Sequence, residues 1–185
     1  FMQGDAVLPA QGMQAIPKQL ANKLHANTIQ TNTPVQQVQK GQVRLKNGEL
    51  LRTKMVLLAT NISHLPQLLP NYADKHNTKT QATQCLYFSV KKLPMRAEPT
   101  LLLNGNGTGL INNLCFPSTV QAGYAPPNKH LLSVSIIKKH GLSDDELLNR
   151  VQDELQTWFG NSFQAQHLRT YTINNALPKQ SSIKL

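Results

Sequence analysis

A glycine-rich pentapeptide, Gly105-Asn106-Gly107-Thr108-Gly109, is the first stretch whose residue types could do chemistry. Close-set glycines let main-chain N–H groups cradle a phosphate, provided the spacing is G-x-G-x-x-G and a helix follows. Here the third glycine falls one residue early, and the residues after it, LINNLCF, have the character of a strand. The spacing therefore predicts a hairpin loop. The six histidines (His25, His64, His76, His130, His140 and His167) share no metal-ligand spacing, so no metal site is expected. Ser63-His64 lacks the sharp G-x-S-x-G turn that exposes a nucleophile. Cys85 and Cys115 are too few and too far apart for a zinc site, and reduced, buried thiols in a cytoplasmic protein are the expectation. No catalytic acid, base or nucleophile declares itself. Tyr87, Phe88, Phe116 and Tyr171 lie on or near predicted strands, where aromatic rings more often fill an ordinary core but can also wall an apolar cavity, and they are the candidate substrate-binding residues.

The elements that must position these residues fall into two halves. Gly12 to Leu24 reads as a helix with Met13, Ile16, Leu20 and Leu24 on one apolar face. Thr33 to Thr60 reads as three short strands. Val35 and Val38 mark the first, Val43 and Leu45 alternate with polar residues in the second, and Met55 to Ala59 form an apolar run suited to a strand buried on both faces. Asn47-Gly48 predicts a tight hairpin turn with positive φ at both central residues. A short helical stretch cut by Pro66 and Pro70 follows, and the polar segment Asn71 to Gln81 reads as a crossing between domains.

From Ala82 the pattern changes to strands: Cys85 to Val90, Thr100 to Leu103, Leu110 to Phe116, Leu131 to Ile137 and His167 to Ile173. Their close spacing implies an antiparallel sheet. One strong helix interrupts them. Ser143 is a good N-cap, Glu146 completes a capping box, and Leu147, Leu148, Val151, Leu155, Trp158 and Phe159 form its apolar stripe up to Gly160. The expected fold class is α+β: a domain with an antiparallel or mixed sheet and packed helices over residues 76–185. A strip of an α/β domain (helix, three-strand unit, short helix) occupies residues 1–75.

Composition narrows the function. No apolar run approaches the roughly 20 residues that cross a bilayer, and Phe1 to Ala10 lacks the charged start of a signal peptide. A cytoplasmic location is expected. The net charge is +10, but the 19 basic residues are scattered in singles and in pairs such as Lys91-Lys92 and Lys138-Lys139, so no nucleic-acid partner is expected. The chain begins at Phe1 and runs out at Ser181-Ser182-Ile183-Lys184-Leu185 without a closing element, and it reads as part of something longer.

Three stretches together resemble a known family. GDAVLPAQGMQAIPKQLANKL is similar to the "L-P-x-G-G-M-x-x-L-P-x-x-L-A" region of flavin-dependent amine oxidases and their relatives. TPVQQVQ with VRLKNGELLRTKMVLLAT resembles their "V-x-x-I … A-D-x-V-I-x-A-T", and WFG with HLRTYTINNALP resembles the region before their C-terminal flavin motif. The superfamily spans monoamine oxidases, protoporphyrinogen oxidases and phytoene desaturase-like enzymes, and the last branch is the nearest. The resemblance implies FAD as cofactor, with Val35 at its adenine end and Ala59 and Thr60 near its phosphates. It implies that the later strands roof the flavin ring and hold a small-molecule substrate, with an apolar or conjugated one favoured. The family's G-x-G-x-x-G turn and its G-D segment have no counterpart here, and Gln11 replaces the first glycine of the G-G-M pair. The resemblance therefore implies an oxidoreductase as the intact protein and a segment that, joined to nothing else, retains no FAD and is inactive. A non-catalytic α+β module holding an apolar ligand or a protein partner is the competing expectation.

Overall fold

The fold is taken from a computed structural model, which describes residues 4–73, 79–137 and 140–179. His76, Lys138-Lys139 and the last residues singled out by the sequence lie outside the described residues. In chain order the elements are α1 (Ala15–Ala21), β1 (Val35–Gln39), β2 (Gln42–Leu45), β3 (Leu50–Arg52), a single 3-10 turn (Ile62–His64), α2 (Leu65–Leu68), α3 (Pro70–Ala73) and β4 (Thr80–Val90). There follow β5 (Leu101–Leu103), β6 (Asn113–Cys115), α4 (Pro117–Val120), a second 3-10 turn (Ala122–Tyr124), β7 (His130–Ile136), α5 (Asp144–Phe159) and β8 (Gln166–Pro178). The class is α+β. The chain forms two compact units, one from residues 1–23 with 83–173 and one from 24–82 with 174–185.

The larger unit is built on a five-stranded sheet in the order β5-β6-β7-β4-β8. β4 with β7, β6 with β7, and β5 with β6 are antiparallel, Tyr87 lying opposite Ser133 and Cys115 opposite the same Ser133. The Gly105–Gly109 segment is a hairpin loop between β5 and β6, as its spacing predicts. Strand alternation sends Leu86, Phe88, Val90, Leu114, Leu132, Val134 and Ile136 to one face, where each is 0–1% exposed. On that face they form one core with Leu147, Val151 and Leu155, an i, i+4, i+8 stripe of α5.

The start of α5 follows from its sequence. The Ser143 hydroxyl accepts from the Glu146 N–H, the Glu146 carboxylate accepts from the Ser143 N–H at 2.8 Å, and Asp144, Asp145 and Glu146 face the positive helix end. These hydrogen bonds, the backbone one first, hold the Glu146 carboxyl below the usual glutamate range. A carboxyl whose folded value is depressed stabilises above its unfolded value and loses that contribution as pH falls through the folded one. Ser143→Ala is therefore expected to cost about 1 kcal/mol at neutral pH. In paired thermal melts, the gap between wild type and Glu146→Gln should close as the pH drops into the carboxylate range.

The smaller unit holds the sheet β1-β2-β3, antiparallel throughout. Three sequence expectations are corrected by the structure. The turn after β2 has positive φ at Gly48 (+89°) and not at Asn47. Instead the Asn47 side chain accepts from the Glu49 N–H at 3.0 Å, and Gly48 N–H donates to Leu45 O, a longer loop closed by one left-handed glycine. The third strand is Leu50–Arg52 and not Met55–Ala59. Residues 55–59 pair with no strand among the described residues, and Met55 and Leu57 are 84% and 89% exposed. An apolar run becomes a doubly buried strand only when other strands flank it. The first helix is likewise shorter than Gly12 to Leu24, and Ile16 and Leu20 on its apolar face are exposed.

Candidate functional site

The face of the five-stranded sheet turned away from α5 carries the residues that alternate with the core: Cys85 and Tyr87 on β4, Ser133 and Ser135 on β7, Asn113 and Cys115 on β6. All are half-buried. β8 adds Tyr171, whose ring meets that of Tyr87 edge to face, centroids 5.9 Å apart at 85°, and Arg169, whose guanidinium carbon lies 5.1 Å from the Tyr171 ring centre. Cys85 Sγ and Ser133 Oγ are 3.3 Å apart.

This cluster has a definite electrostatic character. Burial, then the hydrogen bond and charge of Cys85, push the Tyr87 phenol up to about 12, with Ser133 pulling slightly the other way. Burial followed by the charge of Cys85 raises the Cys115 thiol. Both groups stay protonated at neutral pH, so the face presents neutral donors and aromatic edges, and Tyr87 is no general base there. A phenol raised above its unfolded value favours the folded state fully below that value, and the contribution is lost as pH climbs towards 12. A spectrophotometric titration should therefore find one tyrosine ionising last, and Tyr87→Phe should remove that step. Cys85 and Cys115 stand two strands apart on this face, which at about 4.8 Å per strand exceeds the span of a disulfide. Both are free thiols. The expectation of buried cysteines is corrected: they are half-buried, on the open face.

Of the four candidate substrate-binding residues, the structure brings Tyr87 and Tyr171 together here. Phe88 and Phe116, at 0% and 4% exposure, are in the core beneath α5. Phe88 follows Tyr87 in a strand, so the two point to opposite faces. Ser133, Cys85 and Arg169 belong to the open face and were missed by aromatic content alone. The period-two alternation of Cys85 with Tyr87 was the signal that could have found the first. Among the described residues no group of three or more histidine, cysteine or acidic side chains could hold a metal.

In the smaller unit, Val35 opens β1, an edge strand, and is half-buried, while Ala59 and Thr60 are exposed. The glycine-rich loop of the larger unit holds an anion of the protein's own. The main-chain N–H groups of Leu110 and Ile111 donate to Glu154 Oε2 at 2.8 and 3.2 Å.

The chain is similar to several solved structures. It matches a protein of Pyrococcus furiosus at 15% identity with a TM-score of 0.67, over 91% of this chain and 44% of that one. It matches a reduced UDP-galactopyranose mutase at 14% identity with a TM-score of 0.71, over 90% and 40%. A protein of Exiguobacterium provisionally named protoporphyrinogen oxidase matches at 19% identity with a TM-score of 0.67, over 93% and 41%. At these identities the likeness is one of fold, and the chain spans about two fifths of the length of each. No curated protein sequence matches it. No helix among the described residues is long and apolar enough to cross a membrane. Residues 1–178 match the model of the flavin containing amine oxidoreductases, and the chain belongs to that family.

Proposed function

We propose that this chain is the middle portion of an FAD-dependent oxidoreductase that oxidises or desaturates a small, apolar organic substrate by hydride transfer. The observation that carries this reading is the open sheet face with the Tyr87–Tyr171 pair, on a chain of a flavin family. Bound FAD supplies the hydride acceptor, and the protein supplies orientation and a dry wall. The two tyrosine rings pack against the substrate, and the neutral Tyr87 phenol offers a donor without charge. Among the groups placed on that face, Arg169 is the charged one, which disfavours a cationic amine. The five-stranded sheet, within residues 76–185, is the substrate side. The three-strand unit and the segment to Thr60, within residues 1–75, form the cofactor side.

The fit to the cofactor is partial. Val35 lies on an edge strand, whose outer main-chain groups face no other strand among the described residues and suit contact with the adenine end of FAD. Ala59 and Thr60 close a largely exposed stretch. A phosphate cradle is not among the described residues: the smaller unit's helices are each four residues long, and the glycine loop's free donors are committed to Glu154. This supports the reading that residues 1–185 alone bind FAD weakly and are inactive.

Turnover by the flavin-loaded parent enzyme tests the substrate class. Neutral conjugated compounds should reduce the flavin faster than cationic amines. Tyr87→Ala should raise KM about tenfold, the weight of a lost ring contact. Turnover confined to cationic amines, with KM unmoved by the substitution, would overturn the reading.

A further inference from the structure

At one end of the five-stranded sheet, antiparallel register brings three lysines to a single rim. β4 ends where β7 begins, Val90 opposite His130, so Lys91 and Lys92 leave one strand beside Lys129 entering its neighbour. All three, with Ser162, line a cleft of about 430 Å3 whose apolar side is formed by Phe159 and Phe163, rings 4.9 Å apart. That volume is within the range of small-molecule sites.

Nothing among the described residues neutralises the charge there. Among the described residues the three ammonium groups have no carboxylate or side-chain partner, and the ion pair that is formed joins Arg96 to Glu98. α5 ends at this cleft with no basic residue in its last turn, so the lysines face a helix C-terminus. A helix end carries only about half an elementary charge, against three full charges of opposite sign. A net positive cleft remains.

We infer that this cleft binds an amphipathic organophosphate, a phosphate group carried on an apolar body. Three lysine ammoniums are mobile point charges, and together they match the near-double charge and three free oxygens of a phosphate better than the single charge of a carboxylate. The Ser162 hydroxyl adds a neutral donor, and Phe159 with Phe163 gives the apolar body a surface that an inorganic ion would leave unused. The same chemistry is offered by a free phosphate ester and by the head group of a phospholipid. This inference stands apart from the proposed oxidation and holds whichever substrate the sheet face takes.

Calorimetric titration of the full chain with octyl phosphate, inorganic phosphate and octyl glucoside tests it, beside sedimentation with phosphatidylcholine vesicles with and without phosphatidic acid. The cleft variant is Lys91→Gln/Lys92→Gln/Lys129→Gln. A charge-matched variant, Lys40→Gln/Lys46→Gln/Lys54→Gln, removes three cations elsewhere. All six lysines are exposed, so neither variant threatens the fold. Octyl phosphate should bind more tightly than either control ligand, and about tenfold more weakly to the cleft variant while the charge-matched variant is unchanged. Binding confined to phosphatidic acid vesicles, and lost in the cleft variant alone, also supports the inference and identifies the source as lipid. Equal losses in the two variants, inorganic phosphate binding as well as octyl phosphate, or no binding of either phosphate source would overturn it.

Discussion

Phe88→Ala is expected to lower the unfolding free energy by about 3–5 kcal/mol, the cost of emptying a fully packed aromatic site, and to do so with or without any ligand. The Phe88 ring is wholly buried, packs with the α5 stripe and meets the His167 ring edge-on at 5.5 Å. Its neighbour Tyr87 is half-buried on the opposite face. Tyr87→Phe should therefore leave the melting temperature near that of the wild type, while Phe88→Ala lowers it by many degrees. Chemical denaturation of the two variants side by side checks this, and a stable Phe88→Ala protein would mean that the sheet faces are reversed.

The second large effect is expected at Gly109. Its φ of +77° is costly for any residue with a Cβ, and a Cβ placed there would come within 2.3 Å of Glu154 Oε1. The carboxylate is at the far end of a flexible side chain, but it is not free to retreat, because it accepts from the Leu110 and Ile111 N–H groups. Moving it strands the Ile111 amide in a site 1% exposed. Backbone strain of about 1–2 kcal/mol adds to the loss of a charge-assisted bond worth about 1.5–3 kcal/mol, so Gly109→Ala should cost about 3 kcal/mol or more. Glu154→Ala alone should cost somewhat less. The double variant should cost less than the two added together, since removing the carboxylate removes the clash. Strictly additive losses in a denaturant-based cycle would show that loop and helix are not coupled as described.

These two cases also mark where sequence was informative. α5 was legible almost to the residue, because capping and 3.6-residue periodicity are local and Ser143, Glu146, Leu147, Val151 and Leu155 carry both. The β5–β6 hairpin was legible from the misplaced third glycine. What the sequence did not convey was anything decided by partners. Met55 to Ala59 has a strand's composition, yet a strand exists only where others pair with it. Tyr87 and Phe88 look alike as aromatic neighbours, and only the packing of α5 shows which of the two faces is core. Cys85 and Cys115 become neighbours of Ser133 through register, a long-range property that spacing along the chain does not encode. Glu154 was invisible as the anion in the glycine loop for the same reason: 44 residues separate it from Leu110.

The candidate site depends on both kinds of information. Its aromatic content was readable, while its lack of anionic groups came from geometry: thiol, hydroxyl and phenol cluster on one face beside Arg169, and carboxylates are not among the groups placed there. With no carboxylate to pair a cation, the proposed substrate is tied to apolar rather than cationic chemistry.

The most direct test of the central claim is a flavin titration, followed by fluorescence, of residues 1–185 beside a longer protein spanning the full length of its structural relatives. The longer protein should take up FAD in one-to-one ratio and residues 1–185 should not, the proposed cofactor site being divided between this chain and its neighbours in sequence. A yellow, stoichiometrically loaded 1–185 chain would contradict the divided site, and a longer protein that takes up no flavin would contradict the proposed oxidoreductase itself.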